Sequence, residues 1–436
     1  MDSVGKNIHQ IETYHFTFIF NTVYHIIRWT VFSIVWSVFL FTGCARQRLI
    51  TKTPEITRKA PLIRVAIDEN LTQGSLAFKN KYHLKCEEAD YILDDTVGEF
   101  LVNFSDHTLY FKSPQRWFSF SNFDKIEFTP LSNSTFIWND IPFHGTLIFV
   151  KDEDQIYVVN SISLPEYLKG VIPHEIPSYS EEYYQAIVSQ AIAARTYATY
   201  HLSHPTSQYF DVYADTRDQI YLGVKRQAPL ANKAIAESAG IILQNKNGQP
   251  LETQYHSTCG GILDLKFNIE GDPSTSYLED LYNDQFNCMT SPLYRWVEKI
   301  STREILKNLV AMGKIPKSQA NSWSERGFDV QIHIQSRSIS GRVEKISIKI
   351  NDESILLHQW EIRNAFRTKT GKPLPSTLFF LKKSLRYPDT LYLIGAGFGH
   401  GKGMCQWGAI GLALKQKSAI EILRFYYPGN EIKKVY

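Results

Sequence analysis

A glutamate between two prolines is the first residue in this sequence whose type and setting suit chemistry. Glu175 lies in L-P-E-Y-L-K-G-V-I-P-H-E-I-P at 164–177, where the flanking prolines restrict the backbone and fix the direction of the carboxyl group. Its neighbours are largely apolar, so we expect burial to raise the pKa of the carboxyl into the range that a general acid needs. A glutamate just ahead of a helix can equally be a cap, so Glu175 alone does not identify a site.

A second candidate is Arg195, a cation in the alanine-rich segment Q-A-I-A-A-R-T-Y-A at 190–198. The segment predicts a buried helix, and a buried guanidinium needs a carboxylate or a bound anion as its partner. A structural salt bridge and a functional anion contact are both consistent with the pattern.

Three residues have the types and spacing of metal ligands. His256 and Cys259 are three positions apart in Y-H-S-T-C-G-G, and Cys288 follows in F-N-C-M-T-S-P. Histidine and cysteine together favour zinc. A Cys259–Cys288 disulfide and simple buried thiols remain open alternatives.

A glycine-rich run, G-A-G-F-G-H-G-K-G-M-C-Q-W-G-A at 395–409, contains six glycines in fifteen residues. Such a backbone can adopt positive φ angles and leaves room for a ligand. His400, Gln406 and Trp407 supply a titratable group, an amide and a stacking face, a set that suits a sugar. The run lacks the G-K-[ST] ending of a nucleotide-binding loop. We therefore interpret it as part of a substrate groove.

Composition places these residues in an ordinary folded protein. The chain has 436 residues, of which 43% are hydrophobic and 21% charged, which excludes long disorder. With 47 basic and 44 acidic residues the net charge is +3, and no basic stripe is present, so nucleic acid is not an expected partner. Aromatic residues make up 13%, which indicates many strands, sugar-stacking surfaces or both.

The N-terminal segment 1–44 predicts export and attachment to a membrane. Residues 29–43 are uncharged and follow Arg28, but they are shorter than the about 20 residues of a spanning helix. They end in F-T-G-C, which is similar to a lipoprotein cleavage box, so Cys44 is the candidate lipidation site. An uncleaved signal anchor is the alternative. Either places the rest of the chain outside the cytoplasmic membrane, behind a solvated tether at 45–60.

Hydrophobic periodicity divides the remainder into two parts. From 61 to about 160 the alternation is typical of strands, most clearly at 62–68, 145–150 and 155–160. The region 161–436 begins with helical patterns at 164–200, where Ser178 and Glu181 predict a capping box.

Later elements alternate between the two types. We expect a hairpin at 241–257, a helix at 302–313, strands at 329–335 and 343–350, and a last helix from about Gly408 to Lys415. The strand-rich segment at about 300–385 is expected to be an insertion. Without a regular βαβ rhythm, the sequence predicts a strand-rich α+β fold with a few packed helices and an inserted β subdomain.

Taken in order, these segments resemble the SpoIID/LytB family, that of stage II sporulation protein D and its relatives. Further matching segments are F-H-G-T-L at 143–147, D-Q-I-Y-L-G at 218–223, S-P-L-Y-R-W at 291–296 and A-I-E-I-L-R-F-Y-Y-P-G at 419–429. The ordered set covers about residues 61–436 and is highly specific, although each segment alone is modest.

The resemblance implies a lytic transglycosylase of peptidoglycan. Such an enzyme cleaves between N-acetylmuramic acid and N-acetylglucosamine and leaves a 1,6-anhydro end. It implies Glu175 as the catalytic acid, with Arg195 beside it, and in some members a zinc ion near His256 and Cys259. The chemistry requires no cofactor, and a zinc ion would be structural. Family enzymes favour glycan strands stripped of stem peptides, which implies an N-acetylmuramoyl-L-alanine amidase as functional partner.

This chain departs from the family pattern at the rim of the expected site. The stretch after Glu175 is about two residues longer, Ala396 and Phe398 replace a common Arg and Trp, and Cys405 replaces a frequent Ser. These changes bear on substrate preference. The main alternative is a non-catalytic peptidoglycan-binding activator of a cell-wall amidase; a zinc-dependent wall hydrolase and a structural envelope lipoprotein are others. The presence of Glu175 and Arg195 favours the enzyme.

Overall fold

The computed structural model describes residues 59–86, 89–264 and 287–436. The predicted lipidation site at Cys44, the segment 1–44 and nearly all of the tether lie outside the described residues. In the described ranges no helix is long and apolar enough to cross a membrane.

The first twelve strands form most of two sheets whose aromatic side chains contact one another. They are β1 Leu62–Asp68, β2 Gln73–Lys79, β3 Tyr82–Cys86, β4 Ala89–Leu93, β5 Phe100–Ser105, β6 Thr108–Lys112, β7 Trp117–Phe120, β8 Lys125–Pro130, β9 Thr135–Trp138, β10 Ile141–His144, β11 Thr146–Asp152 and β12 Gln155–Ser163. The sheet orders are β13-β1-β12-β11-β8-β3-β4, where β13 is Val212–Tyr213, and β10-β9-β2-β5-β6-β7. Rings such as Phe111 and Phe149, 5.2 Å apart between centroids, join the sheets.

A helical layer follows and holds the candidate acid. It contains α1 Leu164–Glu175, α2 Tyr184–Ser203 and α3 Pro229–Glu237, and near the C-terminus α7 Gln406–Leu414 and α8 Ala419–Tyr426. Helix α2 packs against the other four. Its small residues Ala191, Ala194 and Ala198 are fully buried, as their spacing predicted, and they allow this close approach.

The inserted subdomain has its own hydrophobic core, formed by side chains between Trp296 and Leu393. Its elements are β16 Arg295–Ser301, α4 Thr302–Ala311, α5 Lys317–Arg326, β17 Val330–Arg337, β18 Val343–Ile350, β19 Glu353–His358, α6 Gln359–Ala365, β20 Phe379–Lys383 and β21 Thr390–Ala396. They form two three-stranded sheets, β16-β21-β20 and β17-β18-β19. The buried Arg342 donates to the carbonyls of Cys259 and Ile262, at 2.8 and 3.0 Å, and so ties this subdomain to the main body.

The remaining short strands join distant segments. They are β14 Ile241–Gln244, β15 Tyr255–His256, β22 Met404–Cys405 and β23 Glu431–Lys434; β14 pairs with β23, and β15 pairs in parallel with β22. The turn predicted at 246–248 is present and is closed by an antiparallel bridge between Gln244 and Pro250, but the hairpin is short, because the C-terminal strand β23 pairs along β14.

The α+β architecture is confirmed, but several local predictions are wrong. The capping residue after Glu175 is Ser180, whose hydroxyl accepts from the Glu182 N–H, in place of Ser178. Glu175 ends helix α1 and does not stand just ahead of a helix. The helix predicted at 408–415 begins two residues earlier, at Gln406, and α8 follows it.

Candidate active site

Glu175 lines a cleft and is held there by two uncharged hydrogen-bond donors. Its Oε1 accepts from the backbone N–H of Ile220 at 3.0 Å, and its Oε2 accepts from the side-chain amide of Gln406 at 3.1 Å. Gln406 is the first residue of α7 and is buried. The structure therefore brings together two of the residues that the sequence singled out.

The surroundings of Glu175 favour its protonated form. Burial is the largest influence and raises the pKa of the carboxyl, whereas the hydrogen bonds from Ile220 and Gln406 lower it by a smaller amount. The position of Glu175 at the C-terminal end of α1 also disfavours a negative charge, because the helix dipole is negative there. The net result is a carboxyl suited to donate a proton.

The segment that supplies the Ile220 N–H is fixed by its own side-chain contacts. Gln219 is buried, accepts from the Tyr167 hydroxyl at 3.1 Å and donates to the Tyr255 hydroxyl at 2.7 Å. This arrangement holds the peptide next to Glu175 in one position. The segment D-Q-I-Y-L-G at 218–223 matches the family pattern, but its sequence did not reveal this role, since a backbone donor has no side-chain signature.

The glycine-rich run packs closely against the backbone segment that contains Thr258, and this packing accounts for its glycines better than space for a ligand does. Thr258 and Phe398 exchange backbone hydrogen bonds of 2.9 and 2.8 Å. Gly397 has φ +79°, and a Cβ there would lie 2.5 Å from the Thr258 carbonyl oxygen. A side chain at Gly397 would push the two segments apart, so this position requires glycine for packing. The sequence alone had indicated room for a ligand instead.

Of the other two residues predicted to bind substrate, only one lines the cleft. His400 accepts at Nδ1 from the Lys402 N–H at 3.1 Å, and its Nε2 lies 3.0 Å from the Tyr255 carbonyl oxygen, so the ring is neutral and held by the loop. Desolvation inside the cleft lowers its pKa to about 4. Trp407 is half-buried, packs against the main core and is not among the cleft residues, because helix α7 turns its side chain inward.

The cleft lies between the main body and the inserted subdomain and has a volume of about 1040 Å³. The main body contributes Glu175, Asp218, Tyr255, His400 and Gln406; the inserted subdomain contributes Glu298, Trp360, Arg363, Asn364, Lys369 and Lys372. Residues of the insertion were absent from the sequence-based set, because no motif marks them and only the fold brings them to Glu175.

Two further carboxylates line the cleft, and both accept hydrogen bonds from other residues. Asp218 accepts from the Tyr197 hydroxyl at 2.6 Å on one oxygen and from the Tyr213 N–H at 2.7 Å on the other. Glu298 accepts from the backbone N–H of Lys369 at 3.4 Å. Glu175 is the carboxyl of this cleft that two uncharged donors hold, and burial raises its pKa.

The structure does not bring Arg195 to the cleft. Its guanidinium is fully buried and donates to the carbonyls of Ile235 and Ile241, at 3.0 and 3.3 Å, and to the Ser238 hydroxyl at 3.2 Å. These contacts tie α2 to the end of α3 and to β14. Backbone oxygens thus replace the carboxylate or anion that the sequence analysis expected, and burial lowers the pKa of Arg195.

Three buried thiols and one imidazole converge next to the cleft. The sulfur atoms of Cys259 and Cys288 are 3.4 Å apart, and the Cys259 N–H donates to Cys405 Sγ at 3.2 Å. The possible ligand atoms of His256, Cys259 and Cys405 all lie within 4.8 Å of one another. We call His256, Cys259, Cys288 and Cys405 the thiol cluster. The sequence predicted Cys288 as the third ligand, whereas the close group has Cys405, a residue noted in the sequence only as a replacement for Ser.

Three residues of the thiol cluster, His256, Cys259 and Cys405, lie close enough together to hold a zinc ion. His256 Nδ1 is 2.9 Å from the Lys402 carbonyl oxygen, while its Nε2 is buried without a hydrogen-bond partner in the described chain. An imidazole fixed at one nitrogen and unpartnered at the other is typical of a metal ligand. Thiols and imidazole are the donors of structural zinc sites, and Cys288, whose sulfur lies 3.4 Å from that of Cys259, is the candidate for a fourth ligand.

Two family profiles match the chain. The family described as "Stage II sporulation protein" matches residues 152–244, which include Glu175, Arg195 and Ile220. A "Domain of unknown function (DUF8618)" matches residues 243–403, which include the inserted subdomain.

Relatives span much of the described chain. An uncharacterized protein of Brachyspira hyodysenteriae (strain ATCC 49526 / WA1) is 33% identical over 68% of this chain and 74% of the relative. Stage II sporulation protein D of Bacillus subtilis (strain 168) is 25% identical over 63% of this chain and 76% of the relative. The amidase enhancer of Bacillus subtilis (strain 168) is 28% identical over 61% of this chain but only 40% of the relative's length.

Proposed function

Because the chain belongs to the SpoIID/LytB family, that of stage II sporulation protein D, we propose that it cleaves peptidoglycan glycan strands as a lytic transglycosylase. The observation that carries the proposal is the setting of Glu175, a carboxyl with a raised pKa that two uncharged donors hold in an open cleft. The substrate would be strands of alternating N-acetylglucosamine and N-acetylmuramic acid, and those stripped of peptide would be preferred.

Glu175 would act first as an acid and then as a base. Protonated Glu175 donates to the oxygen that links C1 of N-acetylmuramic acid to the next sugar, and the C1–O bond breaks. The C6 hydroxyl of the same muramic sugar attacks C1 and returns its proton to the Glu175 carboxylate. The product carries a 1,6-anhydro ring, the leaving sugar keeps the donated proton, and no water is consumed.

The engagement of the other carboxylates supports this route over hydrolysis. Hydrolytic glycosidases generally use two carboxyl groups, of which the second activates water or attacks the sugar. Here both oxygens of Asp218 accept hydrogen bonds, from the Tyr197 hydroxyl and the Tyr213 N–H, which hold this carboxylate in a structural role. The donors Ile220 and Gln406 stabilise the carboxylate of Glu175 after it has given up its proton.

A zinc ion in the thiol cluster would stabilise the fold beside the site. It would supply a cross-link between the segment at 256–259, Cys288 and the start of α7 at Cys405. Since Cys405 precedes Gln406 directly, such a link would also support the position of the amide that holds Glu175. The thiolates would carry no part of the sugar chemistry.

The N-terminal sequence supports export, with attachment to the membrane through lipidated Cys44 or through a signal anchor.

A second function, as a peptidoglycan-binding activator of an N-acetylmuramoyl-L-alanine amidase, is favoured by the similarity to the amidase enhancer of Bacillus subtilis. Under the main proposal such an amidase would instead supply the stripped strands.

A single isosteric substitution tests the enzymatic proposal. Purified wild type and the Glu175→Gln variant are incubated with amidase-treated peptidoglycan, and the products are analysed by mass spectrometry. We expect 1,6-anhydro ends from the wild type and a loss of at least about a thousandfold in the variant, which cannot donate the proton. The matched control is Glu182→Gln, on the exposed surface. Undiminished release by Glu175→Gln would refute the assignment, and retained amidase stimulation without cleavage would favour the activator.

A further inference from the structure

The inserted subdomain presents an aromatic ring and two lysines to the cleft that holds Glu175. Trp360, in the first turn of α6, is 66% exposed. Lys369 and Lys372 are exposed on the loop after α6. All three line the same cleft as Glu175. We call these three residues the insert subsite.

The loop that carries the two lysines is held in one conformation. The Thr368 N–H donates to the Lys372 carbonyl at 2.8 Å, and the Gly371 N–H donates to the Thr368 carbonyl at 2.9 Å. Arg367 donates to the Gly371 carbonyl at 2.9 Å. At the base of the loop, Arg363 and Leu374 exchange hydrogen bonds. An ordered turn costs less entropy on binding than a mobile one, which is the property of a recognition surface.

The charges of the two lysines are available to a ligand. Neither ammonium group has an ion-pair partner in the described part of the chain. Glu298, an acid that lines the same cleft, accepts from the backbone N–H of Lys369 and so helps to position the turn. An exposed indole and two cations that line one cleft suit a sugar that carries an anionic substituent.

We propose that the insert subsite binds an N-acetylmuramic acid residue whose lactyl carboxylate is free. This inference rests on the proposed substrate class. The lactyl group is a carboxylate only after the stem peptide has been removed; with the peptide attached it is an uncharged amide. Trp360 stacks on the sugar, and Lys369 and Lys372 contact the carboxylate. The insertion thereby gives the cleft its preference for peptide-stripped strands.

Binding to uncut strands tests recognition of the free lactyl carboxylate without requiring cleavage. In the full chain carrying Glu175→Gln, we compare dissociation constants for amidase-stripped glycan strands and for neutral N-acetylglucosamine oligomers. Adding Lys369→Gln and Lys372→Gln should weaken binding to stripped strands about tenfold at low salt and leave the neutral oligomers unchanged. Trp360→Ala should weaken both. The control pair is Lys382→Gln with Lys383→Gln, exposed lysines of the same subdomain outside the cleft.

The outcomes separate this inference from the proposed function. Unchanged binding of stripped strands by the lysine variant, or an equal loss for the neutral oligomers, would overturn the inference even if the wild type releases anhydro ends. A selective loss would uphold it even if the wild type cleaved nothing, since it reports recognition alone. Restoring the charge with Lys369→Arg and Lys372→Arg should restore selective binding.

Discussion

The carboxyl group of Glu175 is subject to opposing effects on its pKa. Burial raises the pKa, and the hydrogen bonds from Ile220 and Gln406 lower it. Because the hydrogen bonds favour the charged form, they also prepare the carboxylate to accept a proton in the second half of the reaction. Their balance sets the pH range in which one residue can serve as both acid and base.

Replacing Gln406 should shift the pH dependence of cleavage. The amide stabilises the Glu175 carboxylate, so Gln406→Met should raise the pKa of Glu175. An acid loses activity as the pH rises through its pKa, so the alkaline limb of the profile should move to higher pH. We expect kcat to fall roughly tenfold, since the returning proton meets a less well positioned base. The pH profile of kcat/KM measures the shift, and exposed Gln249→Met is the control. A limb that moves to lower pH would contradict the account.

Replacing Arg195 should affect stability far more than catalysis. Arg195→Met leaves the buried oxygens of Ile235 and Ile241 without their donor, at a cost of about 2–4 kcal/mol in the free energy of unfolding. Denaturant unfolding measures this loss. Turnover per folded molecule at low temperature should stay within about threefold of the wild type, because the guanidinium does not reach the cleft. A folded variant with normal stability and abolished turnover would restore the catalytic role that the resemblance implied.

Of the residues that the sequence singled out, Glu175 and Gln406 meet in the cleft, whereas Arg195 and Trp407 do not line it. Prolines and glycines in the sequence indicate positions with unusual backbone conformations. In the structure these positions are the ends of helices and the contacts between loops. Helical spacing, by contrast, does not indicate which neighbour a side chain of a helix buried on several sides will face. Arg195 and Trp407 lie on such helices, and tertiary packing directed them to the core.

At the scale of elements, the site depends on short segments that meet from distant parts of the chain. The parallel pairing of β15 with β22 brings Tyr255 and His256 beside Met404 and Cys405. Because Cys405 directly precedes Gln406, this pairing places the thiol cluster next to the residue that holds Glu175. A sequence pattern predicts strands of this length poorly, because two residues give no periodicity.

The thiol cluster gives a prediction about metal and stability. The purified full chain should contain about one equivalent of zinc by mass spectrometry of metals, and a strong chelator should lower the melting temperature by roughly 10 °C. Cys405→Ser should lose the metal, whereas Cys86→Ser, outside the cluster, should keep it. At low temperature, where the protein without the metal stays folded, cleavage of glycan strands should continue after chelation. A metal-free protein with a Cys259–Cys288 disulfide would contradict the prediction, and loss of turnover without loss of structure would favour a catalytic metal.

At the scale of the whole molecule, the cleft exists because the inserted subdomain is fixed against the main body. Arg342 donates to carbonyls of the segment that carries the thiol cluster, and the Trp296 indole donates to the Gly397 carbonyl at 2.9 Å. The sequence predicted an inserted strand-rich segment. The alternation of hydrophobic and polar residues in that segment does not show which face of the subdomain lies beside Glu175. Substrate-recognition residues on the insertion could therefore be found only from the fold.

The most direct test of the central claim is the origin of the oxygen at the cut. Amidase-stripped glycan strands are digested by the full chain in water enriched in oxygen-18, and the new ends are weighed by mass spectrometry. If Glu175 directs the C6 hydroxyl to C1, the muramic ends will be 1,6-anhydro sugars without the heavy isotope, about 20 Da lighter than labelled hydrolytic ends. Reducing muramic ends that carry one oxygen-18 atom would show that water attacks C1, and would contradict cleavage by a single carboxyl group.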